Sequence, residues 1–373
     1  HIVEPGLQEI VSSAIDSGKL RVSTLPEKSD IFIIAVPTPI NNDNSPDISF
    51  IESAIKSLST VIQPGNLIIL ESTSPVGTSE KCIGWLKKLR PELQYPKYGN
   101  NDGNENIYFA HSPERVLPGK ILEELIENDR VIGGVSNKST NIAIKFYESF
   151  INGSCLKTDS RTAELCKLVE NSFRDLNIAF ANELSMIADD FGVDVWKLIE
   201  YANRHPRVDI LQPGPGVGGH CIAVDPWFLV HSAPKNTKLI RQARLVNDSK
   251  PIYVLEKIRE KINNHEKRVE DLSILLLGLA FKPNIDDLRE SPAMQIALEV
   301  NQMGFEHIYI VEPNIKFLPE NLKQNNCNLV DLETGITKSD IIVLMVEHSE
   351  FYEFDISLLK NKTLLDLKGI WKT

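Results

Sequence analysis

Short runs of Ile, Leu and Val, apolar at nearly every position, alternate with stretches of helical spacing at both ends of this chain. Few folds accept that pattern. "DIFIIAV" at 30–36 and "NLIILES" at 66–72 are continuously apolar, as strands buried on both faces must be. Between them "DISFIESAIKSLSTVI" has helical spacing, and the "PG" at 64–65 ends it. "RVIGG" at 130–134 reads as a further strand. The last third repeats the scheme, with "DLSILLLGLAFKP", "HIYIVEP", "DIIVLMVEH" and "TLLDLKG" as strands and "SPAMQIALEVNQMG" as a helix. Strand–helix–strand alternation predicts parallel sheets covered by helices.

The middle differs. From Asp159 to Gly192 neither Pro nor Gly interrupts the helical periodicity, which predicts a helix of about 30 residues and about 45 Å. A second long helix is expected from Lys238 to Asn263. The expected architecture is α/β: two Rossmann-like parallel-sheet domains joined by a helical middle domain with a long central helix. Its divisions are an N-terminal domain at 1–157, a central domain at 158–265 and a C-terminal domain at 266–373.

Composition narrows the partners. The formal net charge is −11, from 51 acidic and 40 basic residues, which argues against nucleic acid or an anionic membrane as a general partner. No apolar run reaches about 18 residues, so no membrane span is expected. Cysteines stand at 82, 155, 166, 221 and 327, an odd count with no C-x-x-C pair. Neither a disulfide framework nor a zinc site fits, no metal is expected, and a reducing cytoplasm suits such a chain.

One stretch combines backbone freedom with reactive side chains: "GPGVGGHCIAVDP" at 214–226 sets His220, Cys221 and Asp225 among four glycines and two prolines. Neighbouring side chains on extended backbone point to opposite sides, so His220 is a poor base for Cys221 and a Cys–His hydrolase is disfavoured. Lys167 and Asn171, four apart on the long helix, share a face. An ammonium beside an amide donor can stabilise an oxyanion and lower a nearby thiol's pKa. Ser72 and Thr73 in "ESTSPVG" follow a strand, the end at which open α/β sheets bind ligands. Glu114 lies on the Pro-flanked "SPERVLPG" loop, and Lys282 and Arg289 lie in "FKPNIDDLRESPA" beyond another strand. A dinucleotide fold should open on G-x-G-x-x-G after a strand; here the first strand runs into "PTP" at 37–39, and the G-x-G at 214 follows a helix and prolines. A βαβ start of about 30 residues is expected to be missing ahead of His1.

Together "GPGVGGHCIAVDPWF", "TAELCKLVENSFRDLNIAFANELS", "ESTSPVG", "SPERVLPG" and "FKPNIDDLRESPA" resemble the UDP-glucose/GDP-mannose dehydrogenase family, in particular its bacterial branch acting on UDP-N-acetyl-D-mannosamine. The resemblance runs along essentially the whole chain and implies a four-electron oxidation of a sugar C6 alcohol to a carboxylate with two NAD in turn. It implies Asp225 as a base acting through water, Cys221 as the nucleophile that carries a thiohemiacetal and then a thioester, and Lys167 and Asn171 as oxyanion stabilisers. Glu114 and Thr73 would position the hydrolytic water. The sugar nucleotide would be held by Glu114, Arg115, Val116, Lys167, Asn171, Gly216, Gly218, Gly219, Phe281 and Lys282. Arg204, His205 and Arg207 would join them, across a homodimer or larger homo-oligomer built on the long helix. Pro37, Thr38, Ser72, Thr73, Cys221 and Arg289 would face NAD.

Relatives that act on UDP-glucose resemble PE-x-x-x-E, whereas Pro118 stands four after Glu114 here, so the resemblance leaves the hydrolytic base unassigned and Glu114 carries more of that burden. The implied substrate is a UDP-N-acetylhexosamine, UDP-N-acetyl-D-mannosamine first, with UDP-N-acetyl-D-glucosamine or UDP-glucose as alternatives, and the product would feed a bacterial surface polysaccharide. A two-electron hydroxyacid dehydrogenase shares the Lys–Asn helix but needs no thiol. A non-catalytic UDP-sugar-binding protein would have no use for the Cys, Lys, Asn and Asp set.

Overall fold

The computed structural model describes residues 4, 6–99, 103–117, 119–323 and 326–371. They form two compact units. The first takes the chain up to Asn171 together with Val224–Thr237; the second takes Ser172–Ala223 and the chain from Lys238 on.

The first unit is built on a five-stranded sheet of β1 (Ile31–Ile34), β2 (Leu67–Leu70), β3 (Tyr108–His111), β4 (Arg130–Gly134) and β5 (Cys155–Asp159), in that spatial order. Alternation puts successive residues of β2 on opposite faces. Ile68 and Leu70 pack with Ile51, Ile55 and Leu86 of the helices Ser49–Leu58 and Thr78–Leu89. Leu67 and Ile69 pack with Ala143 and Tyr147 of the helix Asn137–Tyr147. Both faces are therefore covered, which is why the run reads as apolar throughout. Each such fully buried side chain contributes about 1.5–3 kcal/mol.

One pair departs from the expected parallel sheet: β3 and β4 run antiparallel, Ala110 opposite Gly134 and His111 opposite Gly133. Among the described residues of the intervening 112–129 stands one seven-residue helix, Ile121–Glu127, which rises only about 10 Å. Arg115, just past the end of β3, donates to the carbonyl of Asp129, just before β4, at 3.0 Å. The chain thus enters β4 at the edge where it left β3, and antiparallel pairing follows.

The second unit holds β6 (Ser273–Leu277), β7 (His307–Val311), β8 (Cys327–Leu329), β9 (Ile341–Leu344) and β10 (Thr363–Asp366) in the order β10-β9-β6-β7-β8. All its pairs are parallel. Strand order reverses at β6, the doubly wound arrangement that places ligands beyond the carboxyl ends of the strands. Ile274, Leu276, Ile310 and Val343 pack on one face, and Leu275, Leu277, Ile342 and Leu344 on the other.

The long helix spans Ser160–Asp190. Asp159 starts it, accepting from the Thr162 N–H at 3.1 Å and the Thr162 hydroxyl at 2.7 Å. Gly192, at φ 64°, ends it, and the Val193 N–H returns to the Ala188 carbonyl at 2.8 Å. The second long helix, Lys238–Asn263, continues through Pro251. Among the described residues no helix is long and apolar enough to cross a membrane.

Candidate active site

In the first unit the carboxyl ends of β1 and β2 open on the loops 35–39 and 71–77. Two hydroxyls lace these loops together. The Ser72 hydroxyl accepts from the Val36 N–H at 2.8 Å and donates to the Val36 carbonyl at 2.7 Å. Thr38 donates to the Thr73 carbonyl at 2.7 Å. Ser72 and Thr38 thus set the shape of this edge, beside Pro37 and the half-buried Thr73. Ser74 Oγ, on the loop after β2, and both ring nitrogens of His111, the last residue of β3, are buried without a protein hydrogen-bond partner. Burial holds the His111 imidazole neutral, with its pKa down to about 3.

The long helix is fastened to this edge by a residue that periodicity does not distinguish. Glu164 is fully buried and accepts from the Gly77 N–H at 2.5 Å, the Ser79 N–H at 2.8 Å and the Ser79 hydroxyl at 2.7 Å. It serves as the cap that the helix Thr78–Leu89 lacks in its own N-cap residue, Gly77. Burial pushes this carboxyl's pKa up, against the pull of the Ser79 and Gly77 donors.

One turn on from Glu164 stand Lys167 and then Asn171, both half-buried. Asn171 donates to Asp225 Oδ2 at 2.5 Å. Asp225 is 3% exposed and opens the helix Asp225–Ser232. Burial pushes its carboxyl up to about 7, while the Asn171 amide and the Lys167 charge pull the other way. A carboxyl so tuned takes up and releases protons near neutrality.

Glu114 is folded onto its own loop, accepting from the Arg115 and Val116 N–H groups at 2.6 and 3.0 Å and from Arg130 at 3.0 Å. The Arg115 guanidinium pairs with Glu170, the neighbour of Asn171, at 2.8 Å. Arg130 and Glu170 are the contributors that sequence reading missed here, and both are visible only as long-range partners. Pro118 lies outside the described residues.

The glycine-rich segment belongs to the second unit as far as Ala223. A Cβ on Gly218 would lie 2.4 Å from the Glu290 carbonyl, and one on Gly219, at φ 83°, would lie 3.0 Å from the Phe281 ring. Only glycine permits this approach. Phe281 is thus packed against Gly218 and Gly219. The Gly214 N–H donates to Asn182 at 2.9 Å, Asn182 to Asn247 at 2.9 Å, and Asn247 to Asp175 at 2.8 Å; Arg244 donates to the same Asp175 at 2.6 Å. This buried ladder joins the two long helices under the segment. Lys368, paired with Glu347 at 2.8 Å, closes on Gly214 from the chain's end, a contact no sequence signal announced.

Of the five cysteines only Cys221 is exposed; burial raises the pKa of each of the others. Arg204, His205 and Arg207 are exposed in the turns after the helix Val195–Ala202. Lys282 is half-buried, and Arg289 is exposed and forked onto Asp287 at 2.8 and 2.7 Å.

Family models match three successive parts of the chain: the NAD binding domain of the UDP-glucose/GDP-mannose dehydrogenase family over residues 1–151, its central domain over 161–249 and its UDP binding domain over 275–373. The chain belongs to the UDP-glucose/GDP-mannose dehydrogenase family. It is an NAD-dependent UDP-sugar dehydrogenase, an oxidoreductase. It is 51% identical over 372 residues to the NDP-N-acetyl-D-galactosaminuronic acid dehydrogenase of Ralstonia nicotianae, covering 100% of this chain and 86% of that protein. To the UDP-N-acetyl-D-mannosamine dehydrogenase of Escherichia coli K12 it is 50% identical over 376 residues, covering 100% and 89%. The solved UDP-D-ManNAc dehydrogenase of Pyrococcus horikoshii superposes with a TM-score of 0.87 at 36% identity, over 100% of this chain and 86% of that one.

Proposed function

We propose that this UDP-sugar dehydrogenase oxidises the C6 alcohol of a UDP-N-acetylhexosamine, UDP-N-acetyl-D-mannosamine foremost, to the uronate through a covalent intermediate on Cys221. The observation that carries the reading is Asp225: a buried carboxyl poised near pH 7, hydrogen-bonded to Asn171, beside the Lys167 charge and four residues along the chain from the one exposed thiol. The relatives that act on N-acetylated sugars, at about half identity, support the substrate class.

NAD, when bound, supplies the hydride acceptor for each of the two oxidations. The residues at the β1–β2 edge fit its ribose–nicotinamide end better than its phosphates, because Glu164 already occupies the positive end of the helix that follows β2. Pro37, Thr38, Ser72 and Thr73 would hold that end, with Ser74 and His111 as buried polar groups at the same strand ends, and Arg289 is the further cofactor contact of this reading. Asp225 receives the proton of the C6 hydroxyl through a water. Lys167 and Asn171 donate to the oxygen on which negative charge builds. Cys221 Sγ gives up its proton to water and bonds to the aldehyde carbon, which keeps a reactive aldehyde from escaping; loss of a hydride from that carbon and a proton from its oxygen turns the thiohemiacetal into a thioester. Water then adds to the acyl carbon with Glu114 and Thr73 positioning it, the C–S bond breaks and the thiolate leaves.

Arg115, Val116, Gly216, Gly218, Gly219, Phe281 and Lys282 bind the sugar nucleotide in this reading, and Arg204, His205 and Arg207 reach it from a partner subunit. Phe173, Phe180 and Ile187, exposed along the long helix, and Phe191 just past its end give a homodimer its apolar face. The segments 1–157, 158–265 and 266–373 serve as cofactor, central and sugar-nucleotide domains. The enzyme works in the cytoplasm, where NAD and nucleotide sugars are at hand, and supplies an aminouronate for a surface polysaccharide. Turnover on a panel of UDP-hexosamines and UDP-glucose, with NADH counted per sugar, tests all of this. Two NADH and a preference for an N-acetylated sugar are expected; one NADH, or equal kcat/KM on UDP-glucose, defeats the reading.

A further inference from the structure

Arg130 is 5% exposed, yet its guanidinium sits between two carboxylates rather than at the surface. One nitrogen donates to Glu114 at 3.0 Å, and the other approaches Glu71 at 3.4 Å. Glu71 also accepts from the Tyr147 hydroxyl at 2.6 Å, and the guanidinium lies over the Tyr147 ring, 4.9 Å from its centroid. Glu71 immediately precedes Ser72 and Thr73 at the end of β2, and Glu114 lies on the loop after β3. One buried cation, placed by the first residue of β4, therefore ties together the two loops that carry Thr73 and Glu114.

Stability alone is a poor reason to keep such a group. Apolar residues of like volume often replace a buried ion pair without loss, because charges are costly to desolvate. A lysine could not make the same contacts, since only a planar guanidinium offers separate nitrogens to two acceptors at fixed angles. An ionised carboxylate has about four lone-pair sites. Three on Glu114 are filled: Oε1 takes the Arg115 and Val116 N–H groups, and Oε2 takes Arg130. The remaining site, on Oε2, belongs to a side chain 37% exposed, so it can receive a water.

We infer that Arg130 is a positioning residue for the hydrolytic half of the reaction, holding Glu114 Oε2 where it accepts a proton from the water that cleaves the Cys221 thioester. The inference rests on the covalent reading above. In the step, the water oxygen bonds to the acyl carbon, one of its protons passes to Glu114, and the C–S bond breaks with its electron pair leaving on sulfur. Nothing is oxidised or reduced.

The test is Arg130→Gln, followed by rapid mixing with the sugar nucleotide and NAD and by intact-mass analysis. A burst of two NADH per enzyme is expected, then a steady-state kcat about 100-fold below wild type, the scale of a lost general base. KM for the sugar nucleotide should not change, and a mass equal to the acyl group should accumulate on the protein. Hydroxylamine, which attacks a thioester without a general base, should restore turnover and release a hydroxamate. Arg130→Lys should accumulate less acyl-enzyme, and it replaces the glutamine variant should that one not fold. Slow turnover with no acyl-enzyme and no relief by hydroxylamine, or unchanged turnover, overturns the inference. Wild-type protein yielding one NADH per sugar defeats the covalent reading itself, so the two failures are distinct.

Discussion

Asn171 on the long helix donates to Asp225, the first residue of a helix 54 positions further on, at 2.5 Å. This amide fixes a carboxylate that burial would otherwise keep protonated, and it does so one turn from Lys167. The balance of those effects sets the enzyme's response to pH.

With its carboxyl pushed up to about 7, Asp225 binds a proton in the folded chain over a range where an ordinary carboxyl, near pH 4, has lost it. Its contribution to stability is therefore complete below about pH 4 and is lost as pH rises through about 7, at up to roughly 1.4 kcal/mol per pH unit. Asp225→Asn, which cannot ionise, should gain on wild type in thermal midpoint between about pH 5 and pH 7. Activity runs the other way: wild-type kcat/KM should rise through about pH 7 as the base is unmasked. A midpoint difference that stays flat with pH contradicts this account of Asp225.

Cys221→Ser keeps the shape of the side chain but loses an easily ionised nucleophile. The first oxidation does not need the thiol, so aldehyde can still form. The second needs a tetrahedral adduct, and an ester on serine would hydrolyse more slowly than a thioester. Bound aldehyde or acyl-enzyme with little steady-state NADH is expected by single-turnover absorbance and intact mass. Wild-type turnover with two NADH per sugar would leave the glycine-rich segment as a binding loop only.

Lys167→Ala should slow both oxidations by about 3–4 kcal/mol of barrier, the scale of one lost oxyanion donor. Unlike Cys221→Ser, it should accumulate no covalent species. Stopped-flow NADH traces separate the two variants, and an unchanged first phase with a slow second would move Lys167 out of the first step.

Gly218→Ala places a methyl 2.4 Å from the Glu290 carbonyl and 2.7 Å from the Pro292 ring, neither of which can swing aside as a long side chain would. A loss of about 1–3 kcal/mol of stability is expected, together with weaker UDP binding by calorimetry. Native thermal stability with native UDP affinity would show that the segment does not pack as described.

Much of the fold was legible because its signals are local. The run "RVIGG" at 130–134 is β4 residue for residue, the helix Lys238–Asn263 begins and ends where its periodicity does, and the Asp159 carboxylate and the backbone freedom of Gly192 mark the two ends of the long helix. β3, β5 and β8 went unread: "YFAH", "CLKTD" and "CNL" are too short and mixed to show a period, and they become strands only by pairing with neighbours already in place. The Lys167–Asn171 spacing and the glycine cluster around Cys221 were likewise local and pointed to the chemistry.

The partners were not local. Glu164 looks like any helix glutamate until the fold brings it to Gly77 and Ser79, 87 and 85 positions away. Arg130 looks like the first residue of a strand until Glu71 and Glu114 close on it. By itself the sequence determined most of the element types, the alternation that makes two α/β sheets, and the residue types available for oxidation, because each depends on neighbours within a few positions. Only the tertiary structure decided which carboxylate is buried and proton-binding near pH 7, which is spent on a helix end, and which is held by a guanidinium. Burial and charge act through space, and a sequence states only what is adjacent along the chain.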